Sequence, residues 1–335
     1  MTATRTTAAL VTAALLATPT AARADFSEPA PESHEVSGGA SGQSITSKVT
    51  FKVGGTSRVG EAGALTPASP WTPPPCWYEP FWTARDFKKF TEASWRMHAA
   101  AGGAGADLAA EKARLRGGHP YKDFNVAKNS DGMWWIAIDN PAIAGDATAT
   151  ECTRDPFWAD RGEVPDAPGA IGPEMLAGLA YQETQVPGTQ VSMAPEGGTK
   201  VNLPTWIWLD EAEFRAVSAT ASLPGAGLWA RTTATPVSLR IDPGTSDAET
   251  YPASGECVIE GRSVGEPYAR GKSGETPPCG VRYLRSSGGA AYELGATLTW
   301  RMSWQGSDGT SGDLPDGVYG SGQDVAVQEI QALNR

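Results

Sequence analysis

The chain has 335 residues, with 27 basic and 38 acidic side chains and a formal charge of −11. An acidic chain without a Lys/Arg cluster repels nucleic acid and anionic lipid head groups, which both need a basic patch. Beyond the amino terminus no stretch reaches the roughly 18 consecutive apolar residues of a membrane-spanning helix.

Residues 1–24 read as a secretory signal. Arg5 gives a positive start, Ala8 to Ala17 is a short apolar run, and Ala22-Arg23-Ala24 offers the small-x-small pattern of a cleavage site between Ala24 and Asp25. Removing this segment takes away Arg5 and Arg23 and no acid, so the mature chain carries −13. Neither a lipid-accepting cysteine nor a hydrophobic tail is present, and release to the exterior is expected. Residues 25–45, rich in Ser, Gly, Pro and Glu, read as a flexible leader.

Residues 46–185 read as a disulfide-tied α+β region. Thr46 to Val53 alternates as a strand does, and Gly60 to Pro75 is loop-like. Trp77, Tyr78, Phe81 and Trp82 form an aromatic knot, and Thr83 with Asp86 marks a helix start. Phe87, Phe90 and Met97 recur at near-helical spacing, and Gly102-Gly103 interrupts the helix before Leu108 to Arg116 resumes it. Met133 to Asp139 is a short apolar strand, and Cys152 to Trp158 reads as loop. Pro173 opens a third helix whose Met175, Leu176 and Leu179 face inward. Residues 186–200, with Pro187, Gly188, Pro195, Gly197 and Gly198, read as an interdomain linker.

Residues 201–335 read as strands. Val217, Ala219, Ala221 and Leu223 share one face. Leu228 to Thr235 follows a Pro224-Gly225 turn, and Val237, Leu239 and Ile241 alternate again. The clearest strand is Leu294 to Trp304, where every second residue is apolar. Asp324 to Ile330 reads as a short closing strand. Several short strands with turn signals between them predict a β-sandwich.

Four cysteines in an exported chain predict disulfides, and three pairings are possible. Cys76–Cys152 with Cys257–Cys279 keeps each bridge inside one expected domain. A zinc site would need a C-x-x-C spacing or a histidine beside a cysteine, and neither occurs.

Candidate chemistry is sparse. Gly265 to Ser273 resembles a phosphate-binding loop, but five residues separate Gly265 from Gly271 where the motif has four, and Pro267 interrupts it. Gly103-Ala-Gly105 and Gly320-Ser-Gly322 lack the third glycine of a dinucleotide fingerprint and read as turns. There is no G-x-S-x-G elbow. His34 lies in the leader, His98 late in a helix, and His119 in a loop before Pro120. Asp210, Glu211 and Glu213, and Asp313 with Asp316, read as solvated acids. Asn129-Ser-Asp131-Gly132 is too short for an EF-hand calcium loop. No catalytic residue, metal ligand or cofactor is assigned.

Twelve tryptophans are the informative surplus, because exposed aromatics stack on sugars or anchor protein partners. Trp206 with Trp208, and Trp300 with Trp304, read as sandwich core. Trp77, Trp82 and Trp158 lie in loops or at helix starts and are the candidate binding residues.

Val201 to Asp210, the Val217 to Leu223 strand, the Cys257 and Cys279 pair, Tyr283 to Ser287 and the Leu294 to Trp304 strand together resemble a group of actinobacterial exported proteins of unknown function. Their C-terminal half is similar to PKD-type immunoglobulin-like domains, and some carry the label ATP/GTP-binding protein. Pro75 to Pro80 and Gly132 to Trp135 extend the likeness. PKD-type domains show W-x-F/W-G-D-G after an early strand, where this chain has Leu239-Arg-Ile-Asp242-Pro-Gly244. The resemblance implies a sandwich and no catalytic residues.

The expectation is an exported α+β region followed by an all-β immunoglobulin-like (PKD-like) sandwich. It is read as a non-enzymatic module binding an envelope protein or polysaccharide. The alternatives are an envelope-acting hydrolase using carboxylates near Asp139 or Glu174, and a structural component of a surface or secretion assembly.

Overall fold

The computed structural model describes residues 50–54, 63–68, 74–101, 105–140, 152–209, 215–260 and 263–330. The signal segment with Ala24 and Asp25, the leader with His34, and the acids Asp210, Glu211 and Glu213 lie outside these residues.

Short strands Thr50–Gly54 (β1), Gly63–Ala64 (β2) and Thr66–Pro67 (β3) precede Cys76–Trp82 (β4). Helix Ala84–Ala100 (α1) starts where the sequence signals it. The Thr83 hydroxyl donates to the Asp86 carboxylate at 2.6 Å and accepts from the Asp86 N–H at 3.3 Å. A second orphan donor of the first turn, the Arg85 N–H, is satisfied by Asn129 Oδ1 at 2.8 Å. Helix Ala106–Arg116 (α2) follows, then Gly132–Asp139 (β5) and Phe157–Asp160 (β6). Strands β4, β5 and β6 pair as one antiparallel sheet.

Successive strand residues point to opposite faces, so Trp134 and Trp135 must enter different cores. Trp134 stacks on Phe87 of α1 at 4.3 Å and joins Trp82, Trp95, Leu115 and Phe124. Trp135 stacks on Phe157 and joins Trp77, Tyr78 and helix Pro173–Gln182 (α3).

The remaining strands are Gln185–Val186 (β7), Ser192–Ala194 (β8), Gly198–Lys200 (β9), Thr205–Leu209 (β10), Val217–Leu223 (β11) and Leu228–Asp242 (β12). Then come Ala248–Tyr251 (β13), Glu256–Glu260 (β14), Ser263–Gly265 (β15), Gly280–Tyr283 (β16), Tyr292–Gly306 (β17) and Ser311–Gln328 (β18). Strand outweighs helix, 45% to 20%, and the assembly is mostly antiparallel β-sheet, consistent with a sandwich. A long sheet runs β1-β11-β12-β17-β18-β3, and a shorter one holds β13, β16, β10 and β15, with β8 also on β10. Strand β14 belongs to both, pairing with β12 through Glu256 to Val258 and with β15 through Ile259 and Glu260. The core between the two sheets holds Leu239, Leu298, Trp300 and Met302 from the long sheet, and Ile207, Val264, Val281 and Tyr283 from the short one.

The two short strand signals at 228–235 and 237–241 are one 15-residue strand. Its inward residues are Leu228, Ala230, Thr232 and Ala234, then Leu239 and Ile241, a change from even to odd. The register shift between Pro236 and Ser238 explains this: a bulge adds one residue and returns the apolar set to the same face. Strand β18 likewise absorbs Pro315 at a register shift, where Met302 pairs with Leu314 and Trp300 with Gly317.

The expected linker at 186–200 is corrected by the structure. It carries β7, β8 and β9, which pair with β2, β10 and β18. Helix α3 and Trp77, Tyr78 and Phe157 pack on Ala219, Ala221, Leu223, Leu228 and Ala230 of the long sheet, so one apolar core draws on both sides of that segment. The described residues form one compact unit. Both bridges pair as expected, Cys76 with Cys152 and Cys257 with Cys279, with Cα atoms 6.0 and 5.5 Å apart. No helix among the described residues is long and apolar enough to cross a membrane.

Candidate functional site

Of the candidate binding tryptophans, Trp77 and Trp82 are interior. Trp77 is 1% exposed and Trp82 9%. Trp77 donates its indole N–H to the buried Glu79 carboxylate at 3.0 Å, and Trp82 stacks on Phe90 at 5.1 Å. Their flanking sequence looks irregular, but both lie on β4, whose two faces are covered by different cores. Trp158 is half-buried over Gly132 and donates to Asp160 at 2.7 Å, which holds that carboxyl below its usual range.

Trp300 is core, as expected, and Trp304 is partly buried beside α3's core. Trp206 is buried elsewhere. Ile207 and Leu209 face the sandwich interior, so Trp206 points outward and is covered by the loop between β15 and β16. Tyr268 meets its ring edge-on, and Lys272, paired with Glu266, lies over it at 5.2 Å. The phosphate-loop resemblance falls in this same loop, where Lys272 opens a single 3₁₀ turn rather than a helix. Gly320 and Gly322, expected in a turn, lie inside β18. A Cβ on Gly320 would stand 2.8 Å from the Ala296 carbonyl oxygen, so the close strand approach requires glycine there.

The polar candidates are dispersed. His98 is exposed, with Nδ1 3.0 Å from the Ser94 carbonyl oxygen, and His119 is exposed in its loop. Asn129 caps α1, and the exposed Asp131 accepts from the Ser130 hydroxyl. Among the described residues no group of three or more His, Cys, Asp or Glu could hold a metal ion. Asp139 lies exposed at the end of β5 and Glu174 exposed on the first turn of α3.

The structure instead draws attention to the outward face of the long sheet, which the sequence reading did not single out. Strands β11, β12 and β17 turn their apolar residues inward, so Ser218, Thr220 and Ser222, then Trp229, Arg231, Thr233 and Thr235, then Arg301, Ser303 and Gln305 share the opposite face. Trp229 is 38% exposed. Its backbone N–H donates to the Ser307 hydroxyl oxygen at 3.2 Å, which ties the strand to the β17–β18 turn. That turn is closed by Asp308, whose Oδ1 accepts from the Thr310 hydroxyl and N–H.

Further along the same face lies a shallow groove of about 720 Å³. Gly295, Gly320 and Gly322 floor it, Asp242 and Glu293 stand at one side, and Thr66, Thr297 and Val318 at the other. Thr297 is paired with Arg240, so the groove borders the arginine-bearing part of the sheet. The alternation that reveals this face is visible in the sequence, since Trp229, Arg231 and Thr233 occupy the polar phase of a strand. What the sequence lacks is the pairing that lays β11, β12 and β17 side by side. Comparison with protein-family models, curated proteins and solved structures gives no match in any of the three.

Proposed function

We propose that the chain is an exported, non-enzymatic module that binds a glycan of the cell envelope through the outward face of its long sheet. The single observation that carries this reading is the exposed Trp229, set on a central strand among Ser, Thr, Gln and Arg side chains. An exposed indole offers a flat apolar surface for a sugar ring, and the surrounding hydroxyls and amides can exchange hydrogen bonds with sugar hydroxyls. Export is supported by the two disulfides, which persist in oxidising compartments, and by the signal-like amino terminus.

We read the two-sheet half as immunoglobulin-like, in line with the PKD-type resemblance. Tyr292, at the start of β17, donates its hydroxyl to the Ser286 carbonyl at 3.1 Å, a bond to backbone a few residues upstream like that of a tyrosine corner. The test is sedimentation of the purified mature chain with insoluble envelope polysaccharide freed of protein. Trp229→Ala should lose most of the sedimented fraction while keeping the wild-type melting temperature. Equal sedimentation of variant and wild type would refute the assignment of this face.

A further inference from the structure

Resting on that reading, we infer that the ligand of the outward face is an acidic polysaccharide, recognised by Arg231, Arg301 and Arg240. All three are exposed and stand on the two central strands. Arg231 makes one weak contact, from Nε to the Thr220 hydroxyl at 3.4 Å. Among the described residues the side chains of Arg240 and Arg301 have neither an ion pair nor a hydrogen bond. Some cations elsewhere are ion-paired, Arg116 with Glu92, Lys128 with Asp160, Arg282 with Glu249 and Arg285 with Asp247, whereas Lys89, Arg96, Lys122, Lys200 and Arg270 are exposed without one among the described residues. What sets Arg231, Arg240 and Arg301 apart is their alignment on one open sheet face of a chain of net charge −11, an arrangement that a ligand's charge would explain.

Register gives their spacing. Arg231 is opposite Gln305, and Arg240 is opposite Thr297, so on β17 the three arginine levels fall at 305, 301 and 297. Four residues of strand are about 13 Å, so the guanidinium groups succeed one another at even steps of roughly that length. Between them lie Thr233, Thr235, Ser303 and Thr299, which are hydroxyl-bearing and too small to obstruct an extended chain. Guanidinium forks suit carboxylate or sulfate groups bidentately. The track is bounded by acids. Glu256 pairs beside Arg240 on β14, Asp313 is opposite Ser303 on β18, and Asp242 and Glu293 stand at the groove. Wide charge spacing, hydroxyl-rich intervals and acidic margins fit a sparsely charged glycan better than the dense phosphates of nucleic acid.

The mature chain is titrated with polygalacturonate, lightly carboxymethylated dextran, neutral dextran and a duplex DNA oligomer. The inference expects binding to at least one of the charged polysaccharides, weakening as salt rises. It expects roughly tenfold loss in the combined Arg231→Gln, Arg240→Gln, Arg301→Gln variant. Arg282→Gln, which removes an ion-paired cation on the short sheet, should leave binding unchanged. Dextran bound as tightly as the charged polymers, or an arginine variant at full affinity, would overturn the acidic ligand while leaving the Trp229 face standing. DNA bound as tightly as the polysaccharides would overturn it as general polyanion binding. Binding to none of the four would overturn the inference, and the envelope sedimentation result separately decides the reading beneath it.

Discussion

Leu228→Ala tests whether the chain is built as two domains or around one shared sheet. Leu228 opens β12, is 1% exposed, and packs in the core that includes Trp77, Phe157, Ile171 and Leu176 from the other side of the 186–200 segment. Truncating a fully buried leucine removes its transfer energy and leaves a cavity, at a cost of about 3 kcal/mol. For a unit of this size that is a fall in Tm of roughly 5–10 °C. Calorimetry should show one transition, moved as a whole. Hydrogen exchange should show protection lost in β5 as well as in β12, although Leu228 belongs to β12. Val281→Ala, buried between the two sheets, should move the same transition. Two separate transitions, only one of which responds to Leu228→Ala, would refute the shared-core argument.

Two further perturbations follow from the sulfur and tyrosine positions. The bridges close loops of sequence separation 76 and 22. By loop-closure entropy, Cys76→Ser with Cys152→Ser should cost about 4 to 5 kcal/mol and Cys257→Ser with Cys279→Ser about 3, read from urea midpoints. The reverse order would contradict the entropic account. Burial, with Asp316 adding to it for Tyr181 and Tyr292 and Asp242 for Tyr283, pushes both hydroxyls up to about 12. A raised tyrosine pKa favours the neutral form in the native state, so its contribution is complete below pH 10 and is lost as pH rises toward 12. Stability should fall by about 2 to 3 kcal/mol per tyrosine over that window, and Tyr181→Phe should flatten its share of the slope. A pH-independent midpoint between 10 and 12 would contradict this.

The local devices of the fold were legible because each is complete within a few residues. Thr83 and Asp86 announce α1, Pro173 announces α3, and the alternation from Leu294 to Trp304 announces β17 with its inward face. The bridges were legible in part: an exported chain with four cysteines calls for disulfides, and of three possible pairings the one that keeps each bridge within one expected region is the one formed. The candidate site was half legible: Trp229 and Arg231 stand in the polar phase of a strand signal, but a phase does not reveal what lies beside it.

The sequence by itself determined the helices at α1 and α3, the strands β11 and β17 with the apolar face of each, and that four cysteines are available for two bridges. These depend on side-chain periodicity and on chemistry a few bonds away. Only the tertiary structure decided that Gly/Pro-rich 186–200 is woven into sheets, that 311–328 is a continuous strand, and that Trp77 and Trp82 are interior. In each case the deciding partner lies far along the chain. Glycine and proline weaken local strand preference, yet a neighbouring strand such as β17 supplies hydrogen bonds and tight packing that override it.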